Sequence, residues 1–552
     1  MRSSPPDRFH LPSRGELRWA AYAAAIIMLA TCLPYLFGLA ITPSGSYYSG
    51  FLANPDEHNV YLSLMRQAHD GAFLFSDLFT SEPQQGRVIN VLWLALGLFA
   101  RLTYLPPPIV YHLARVIAGW LLLMAIYCLA AQVLSSLGAR RAALVLAGTA
   151  SGFGWLWAAG PGQPNPIDYG PGLIMPEAIT FLTLLLNPLF ACSVFLLIVL
   201  YLAAAHAFTT GAARAAVLAG AAGLVLGNIH SYDVIPAAAV LGVFLAYLLV
   251  TRRAGGRAVL LALLIAAIAA PALLYQLWLQ RTGEISILVK AVNQPPSPEP
   301  LYVALGFGLP LALAAVGLLR AVRGSDWARL LALWLVLGGV LVYAPIPFQR
   351  KLIEGLHVPL CVLAALSFDD IWPVRPRRAA VLAVLFVALS LPSNALFVRR
   401  GMRDLVENNR KYLANLMPPL YLNADQRAAL AYLDSRAKRT DVLLANSMLS
   451  NYVPSLSGIR VYVGHWSETP NFGRKLGDYA GFLRAETPEA ERRSFLRAQG
   501  ITYVLRDQML DQFYEPVPSG SARLPTFDFP LVPWLEPVFA QGAVAIYRVR
   551  ER

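Results

Sequence analysis

Charge is scarce in this chain. Only 14% of its 552 residues are Asp, Glu, Lys or Arg, where a soluble domain carries about a quarter. Cysteine is scarce too. Cys32, Cys128, Cys192 and Cys361 all fall inside apolar runs, which excludes a disulfide framework or a cysteine zinc site and predicts buried thiols. No G-x-G-x-x-G stretch occurs, so no dinucleotide site is expected. The first apolar run lacks a small-residue cleavage pattern and reads as a retained helix. What is abundant is hydrophobic sequence, 57% of the chain. Repeated apolar runs of about 18 residues or more mean a polytopic helical membrane protein. The net charge of +13 then reports orientation, since Lys and Arg collect on the cytoplasmic side. No nucleic-acid partner is implied; membrane lipids are.

Arg2, Arg8, Arg14 and Arg18 precede a first span near 19–41, placing the N-terminus in the cytoplasm and the next loop, 42–108, outside. Within that loop Val60–Asp70 (VYLSLMRQAHD) reads as an interfacial helix. Val88–Leu105 is nearly long enough to span, but Arg101 interrupts it and three prolines follow. If it spanned, the basic clusters at Arg140-Arg141, Arg252-Arg253-Arg257, Arg320-Arg323 and Arg375-Arg377-Arg378 would all face outward. Laid along the outer interface, it puts all of them inside, as orientation by positive charge requires. The remaining spans fall near 109–135, 142–160, 186–208, 213–229, 233–251, 258–279, 301–320, 328–345, 356–372 and 379–397, about eleven in all with boundaries good to a few residues.

The chain divides into a membrane domain, 1–400, and an extracytoplasmic α/β domain, 401–552. In the latter, Ala424–Ala437 has helical periodicity. Strand-like runs stand at Asp441–Ala445, Arg460–Gly464 and Ile501–Leu505, and Val538–Val549 reads as a closing hairpin. Strand alternating with helix predicts a mainly parallel sheet.

Polar residues able to do chemistry concentrate on the outer side. Foremost is Asn54-Pro55-Asp56-Glu57-His58 in the first outer loop. A carboxylate there can take the proton of an attacking hydroxyl or amine while a lipid phosphate leaves from the far face of a sugar. The second carboxylate can orient the acceptor, hold a metal or raise its neighbour's pKa, and His58 is a candidate substrate contact. The plainer alternative is a solvated loop whose acids favour the start of the following helix.

One span, a long outer loop with Asp56-Glu57 and interfacial helices, a multispan body and an outer C-terminal domain together resemble the GT-C superfamily of membrane glycosyltransferases. Protein O-mannosyltransferases, lipid A aminoarabinose transferases and oligosaccharyltransferase catalytic subunits belong to it. The resemblance implies that Asp56 is the catalytic acidic residue of the first loop, with Glu57 its neighbour. It also implies a polyprenyl-phosphate sugar or diphosphate relative as donor, and transfer with inversion.

Other outer residues suit such a substrate. Arg350 and Lys351, in Pro345–Gly355, are cations on the side that disfavours them. They can grip a phosphate by fork and point charge, or snorkel to lipid headgroups. His230 and Asp233, in Asn228–Asp233, are ionisable groups at membrane depth, costly and often functional, unless Asp233 merely caps the next span. His465, Trp466 and Glu468 follow a strand, where ligands gather in open α/β sheets; the alternative is a structural loop. Asp56 and Asp168 are the metal candidates, but the D-x-E-like spacing of the oligosaccharyltransferase second loop is absent around Asp168. A divalent metal is compatible with this set and not required by it.

The reading that follows is transfer of a sugar from a polyprenyl-phosphate donor to an envelope acceptor, at the outer face of a bacterial cytoplasmic membrane, with Asp56 as general base. A transporter or flippase would show inverted repeats and buried midplane charges, and no clear repeat stands out. A non-catalytic assembly scaffold would make Asp56 dispensable and the outer domain essential.

Overall fold

Apolar runs bounded by Pro, Ser, Asn or Gly become helices in the computed structural model, which describes residues 9–157, 175–285, 292–514, 529 and 532–550. Among these residues eight helices are long and apolar enough to cross a membrane: Arg14–Ala40 (α1), Pro107–Val133, Pro188–Thr210, Ser231–Val250, Gly256–Thr282, Pro300–Arg323, Gln349–Val374 and Pro376–Val406. The chain is a polytopic helical membrane protein with a sheet-containing C-terminal portion. Three other expected spans are shorter helices. Ala213–Ile229 has 17 residues and Asp326–Leu341 has 16. The segment expected to run 142–160 is instead a 13-residue helix, Leu137–Thr149, a break, and one turn at Gly154–Trp157. The break has a local cause. A Cβ at Gly152 would overlap the Gly306 carbonyl, and the Phe153 amide donates to the Leu305 carbonyl at 2.8 Å. The facing helix bends there too, with Gly308 at φ +55°, a conformation glycine tolerates.

Two compact units divide the chain. The first comprises Met1–Leu33, His112–Trp278 and Gln294–Arg400. Several of its buried polar groups are paired internally, as low-dielectric surroundings favour. Buried Arg115 donates to the Thr31 hydroxyl and the Leu184 carbonyl, both at 2.9 Å. Asp369 accepts from the amides and hydroxyls of Ser135 and Ser136. Three of the basic residues assigned to the cytoplasmic side have acidic partners: Arg140 with Glu16 at 2.7 Å, Arg253 with Asp326 at 2.6 Å and Arg320 with Asp370 at 2.9 Å.

The second unit comprises Pro34–Tyr111, Leu279–Asn293 and Gly401–Arg552. Its strands are β1 (Tyr47–Tyr48), β2 (Tyr421–Leu422), β3 (Val442–Leu444), β4 (Arg460–Val461), β5 (Tyr503–Asp507), β6 (Leu535–Gln541) and β7 (Val544–Val549). β1 and β2 form an antiparallel pair, and the other five a sheet of order β4-β3-β5-β7-β6. Pairs β3–β4 and β3–β5 are parallel, while β5–β7 and β6–β7 are antiparallel. The sheet is therefore mixed, because the β6–β7 hairpin docks antiparallel on β5. Leu430 and Leu433, from a helix opened by an Asn423–Gln426 capping box, share its core with Leu443, Val461, Val504 and Ile546.

The first outer loop belongs to this same unit and contains two helices, α2 (Pro55–His69) and α3 (Val91–Thr103). The α2 helix starts five residues earlier than its apolar pattern suggests, because Pro55 supplies a preset first-turn φ and its missing N–H costs nothing there. The chain between α2 and α3 runs beside β4: the Val461 amide donates to the Leu78 carbonyl at 3.0 Å, and Thr80 bridges to Val463.

Candidate functional site

Asp56 lies in the first turn of α2, entered through Asn54 in a left-handed conformation, φ 48°. Asp56, Asn59 and Ser63 are all buried, and their spacing puts them on one helical face. That face packs on the C-terminal helix turns. The Asn59 amide donates to Asn451 Oδ1 at 2.7 Å, and the Ser455 hydroxyl to Asn59 Oδ1 at 3.2 Å. Asp56 is only 6% exposed and its Oδ1 accepts no hydrogen bond. Burial pushes its carboxyl up to about 6, although its own amide, the Glu57 amide and the Trp466 side chain pull the other way. It is therefore not the acid of a solvated loop.

Opposite Asp56 stands the turn after β4. Thr469 Oγ1 accepts from the amides of Gly464 and His465 and donates to the Phe79 carbonyl at 2.7 Å. Within this turn His465 Nδ1 accepts from the amides of Ser467 and Glu468 at 3.1 and 3.2 Å. An acceptor at Nδ1 places the hydrogen of the neutral ring on Nε2. Burial holds His465 neutral, its pKa lowered to about 3. Its Nε2 lies 3.8 Å from Asp56 Oδ2 and makes no hydrogen bond. Trp466 beside it is 42% exposed.

Glu57 is half-buried. His58 turns into the protein, its Nδ1 2.7 Å from the Asn54 carbonyl and its ring 4.2 Å from that of Phe51; these contacts give it a packing role. Two residues that the sequence left unremarked, Asp77 and Lys475, interact electrostatically with each other, and Asp77 also with Glu468. Asp77 is buried, and burial followed by the charge of Glu468 pushes its carboxyl well up. Lys475 is fully buried and reaches Thr80 Oγ1 at 2.9 Å and Glu82 at 2.7 Å. Nothing local in the sequence marks either residue: Asp77, in the first loop, meets Glu468 of the C-terminal portion, and Lys475 meets Thr80 and Glu82 of the first loop.

The first unit holds a second polar cluster. Ala213–Ile229 ends at His230, and a single turn, Ser231–Asp233, opens the next helix. His230 Nδ1 lies 3.1 Å from Asp233 Oδ2 and 3.2 Å from Glu354 Oε2. Glu354 follows the turn Gln349–Ile353 that carries Arg350 and Lys351. Arg350 lies 3.7 Å from Glu177, and the Lys351 ammonium sits 4.6 Å over the Tyr232 ring. His230, Asp233 and Glu354 form a cluster able to hold a divalent metal, with ligand atoms all within 4.8 Å of one another. Among the described residues Asp56 joins no such group, and Asp168 lies outside the described residues. Sequence reading placed His230 and Asp233 together. It did not join Glu354, in the same loop as Arg350 and Lys351, to that pair, because its partners lie far away in the chain.

No protein-family model matches the sequence, and no curated protein does either. Solved structures do. A mycobacterial arabinofuranosyltransferase, AftD, in a mutant form matches at 15% identity with a TM-score of 0.55, covering 98% of this chain and 42% of its own. The apo oligosaccharyltransferase of Archaeoglobus fulgidus matches at 13% identity and 0.52, covering 90% and 70%. ArnT from Cupriavidus metallidurans bound to undecaprenyl phosphate matches at 14% identity and 0.50, covering 97% and 98%. The fold is that of the GT-C membrane glycosyltransferases. At these identities the likeness is one of fold, and the chemistry rests on the residues themselves.

Proposed function

We propose that this protein transfers a sugar from a polyprenyl-phosphate donor to an envelope acceptor at the extracytoplasmic face of a bacterial cytoplasmic membrane, with Asp56 as general base. The observation that carries this reading is the buried, incompletely hydrogen-bonded Asp56 carboxylate on the first outer-loop helix of a GT-C fold. A carboxylate held near 6 is ionised at neutral pH and more basic than an ordinary one, which suits it to take a proton. The 3.8 Å gap between Asp56 Oδ2 and His465 Nε2 is too long for a direct hydrogen bond. An acceptor hydroxyl seated to one side of both atoms would donate to Asp56 and accept from His465.

In this scheme the acceptor oxygen attacks the anomeric carbon as its proton passes to Asp56. The bond from that carbon to the phosphate oxygen breaks, the configuration inverts, and polyprenyl phosphate departs. Glu57 is assigned to orienting the acceptor, and the exposed Trp466 to stacking on a sugar. Glu468 is assigned to hydrogen bonding with sugar hydroxyls. Arg350 and Lys351 are assigned to a lipid phosphate on charge alone, a separate claim that Arg350→Gln tests through weakened binding of polyprenyl phosphate.

The direct test uses membranes of a deletion strain as the donor and acceptor pool, with purified protein added and released polyprenyl phosphate measured. Wild type should release it. Asp56→Asn should lower the rate by roughly 10²–10⁴-fold while polyprenyl phosphate still binds. Unchanged release by a well-folded Asp56→Asn protein would refute the assignment.

A further inference from the structure

We infer that His230, Asp233 and Glu354 form a metal centre for a first-row divalent cation of the Zn²⁺ or Mn²⁺ type. Its three protein ligands leave at least one coordination position for water or an anionic oxygen. This inference stands on the first unit alone and does not depend on the identity of any sugar donor.

Geometry is the first support. Metal–ligand bonds near 2.0–2.1 Å separate neighbouring ligand atoms by about 3.0 Å in octahedral and about 3.3 Å in tetrahedral sites. The observed separations from His230 Nδ1 to the two carboxylates are 3.1 and 3.2 Å, and all three ligand atoms lie within 4.8 Å of one another. Calcium, with bonds of about 2.3–2.6 Å and six to eight oxygen ligands, needs a wider and all-oxygen shell. An imidazole with two carboxylates suits zinc and manganese among the divalent ions.

Unsatisfied ligand atoms are the second, independent support. Asp233 is 0% and Glu354 2% exposed, yet Asp233 Oδ1 and Glu354 Oε1 accept no hydrogen bond. Two buried carboxylates offered a single imidazole nitrogen have too few donors for their lone pairs. Such a deficit is costly at membrane depth, and a divalent cation removes it.

The sequence supports the site locally as well. His230 and Asp233 are three residues apart across a one-turn helix, so both reach one point without a long loop. Glu354 is held by the turn Gln349–Ile353 before it and by Gly355 at φ +76° after it. A Cβ at Gly355 would press against Trp334 and Leu197 at 3.2 and 3.3 Å. The third ligand is thus clamped from both sides.

The test is metal analysis of full-length protein purified in detergent without chelator, then stripped and titrated with Zn²⁺, Mn²⁺, Ca²⁺ and Mg²⁺ separately. One equivalent of zinc or manganese should co-purify or rebind. Its addition should raise the melting temperature in proportion to the logarithm of free metal, as ligation of the native state requires. Calcium and magnesium should do neither at equal concentration. Glu354→Gln and His230→Gln should each lose the equivalent and the thermal response. Cobalt substitution supplies a readout free of stability effects: wild type should show a d–d absorption band that Glu354→Gln lacks. Wild-type protein that holds less than a tenth of an equivalent and shows no thermal or cobalt response would overturn the inference and leave a proton as the cluster's occupant. An unchanged metal equivalent in both variants would overturn it equally.

Discussion

At the scale of single residues, Asp56 shows how burial makes a carboxylate more basic at a cost in stability. Its folded pKa of about 6 exceeds the ordinary 3.8, so the folded state holds its proton more tightly than the unfolded chain. The stability this confers is complete below 3.8 and is lost as pH rises through about 6. Above that range Asp56 stands ionised at a cost of up to about 3 kcal/mol, each pKa unit being about 1.4 kcal/mol. Asp56→Asn should therefore melt higher than wild type at pH 7.5 and not at pH 4, while losing turnover. Scanning calorimetry of the two proteins at both pH values checks this; equal or lower stability of the variant at pH 7.5 would contradict it. The rate of wild type should rise with pH through about 6, a limb absent from the residual activity of the variant. His465 was legible only as a residue after a strand. Its tautomer and its approach to Asp56 depend on amides in its own turn and on a helix from the first loop.

At the scale of elements, α2 owes its position to two neighbours. One is the polar seam of Asn59 with Asn451 and Ser455. The other is α3, which approaches so closely that a Cβ on Gly97 would overlap the Met65 carbonyl and the Ala68 methyl. Backbone cannot yield as a side-chain tip does, so Gly97→Val should cost about 1–3 kcal/mol. Because α2 carries Asp56, it should also lower turnover. Thermal unfolding and the polyprenyl phosphate release assay report the two effects, and a neutral Gly97→Val would show that α3 does not position α2. The helices themselves were legible from apolar periodicity, and the β6–β7 hairpin from its alternation. Strand direction was not: β5 and β7 pair antiparallel through contacts that no local pattern encodes. The broken segment after Thr149 was also hidden, since its cause is the backbone of a distant helix at Gly306.

At the scale of the whole molecule, the proposed orientation rests on the distribution of basic residues. An N-terminus and Arg-rich turns in the cytoplasm, as expected from positive charge, would place the C-terminal portion outside. In a variant whose four cysteines are alanine, a membrane-impermeant maleimide should label Met509→Cys in intact cells and Arg377→Cys only after permeabilisation. The reverse pattern would invert the topology and remove the proposed active site from the extracytoplasmic face. The architecture was legible because hydropathy, loop charge and the change to soluble composition within 401–552 are all long-range averages over sequence. The membership of each polar cluster was not, because His465 with Asp56 and Glu354 with His230 are brought together by tertiary packing.

The account rests most directly on one comparison, mass spectrometry of envelope glycans and lipid-linked sugars. The strains are wild type, a deletion, and Asp56→Asn at matched protein level. The account predicts that one glycan loses the same sugar in both mutants while its polyprenyl-linked donor accumulates. A glycan change in the deletion that Asp56→Asn does not reproduce would contradict it, and would make transport or scaffolding the better description.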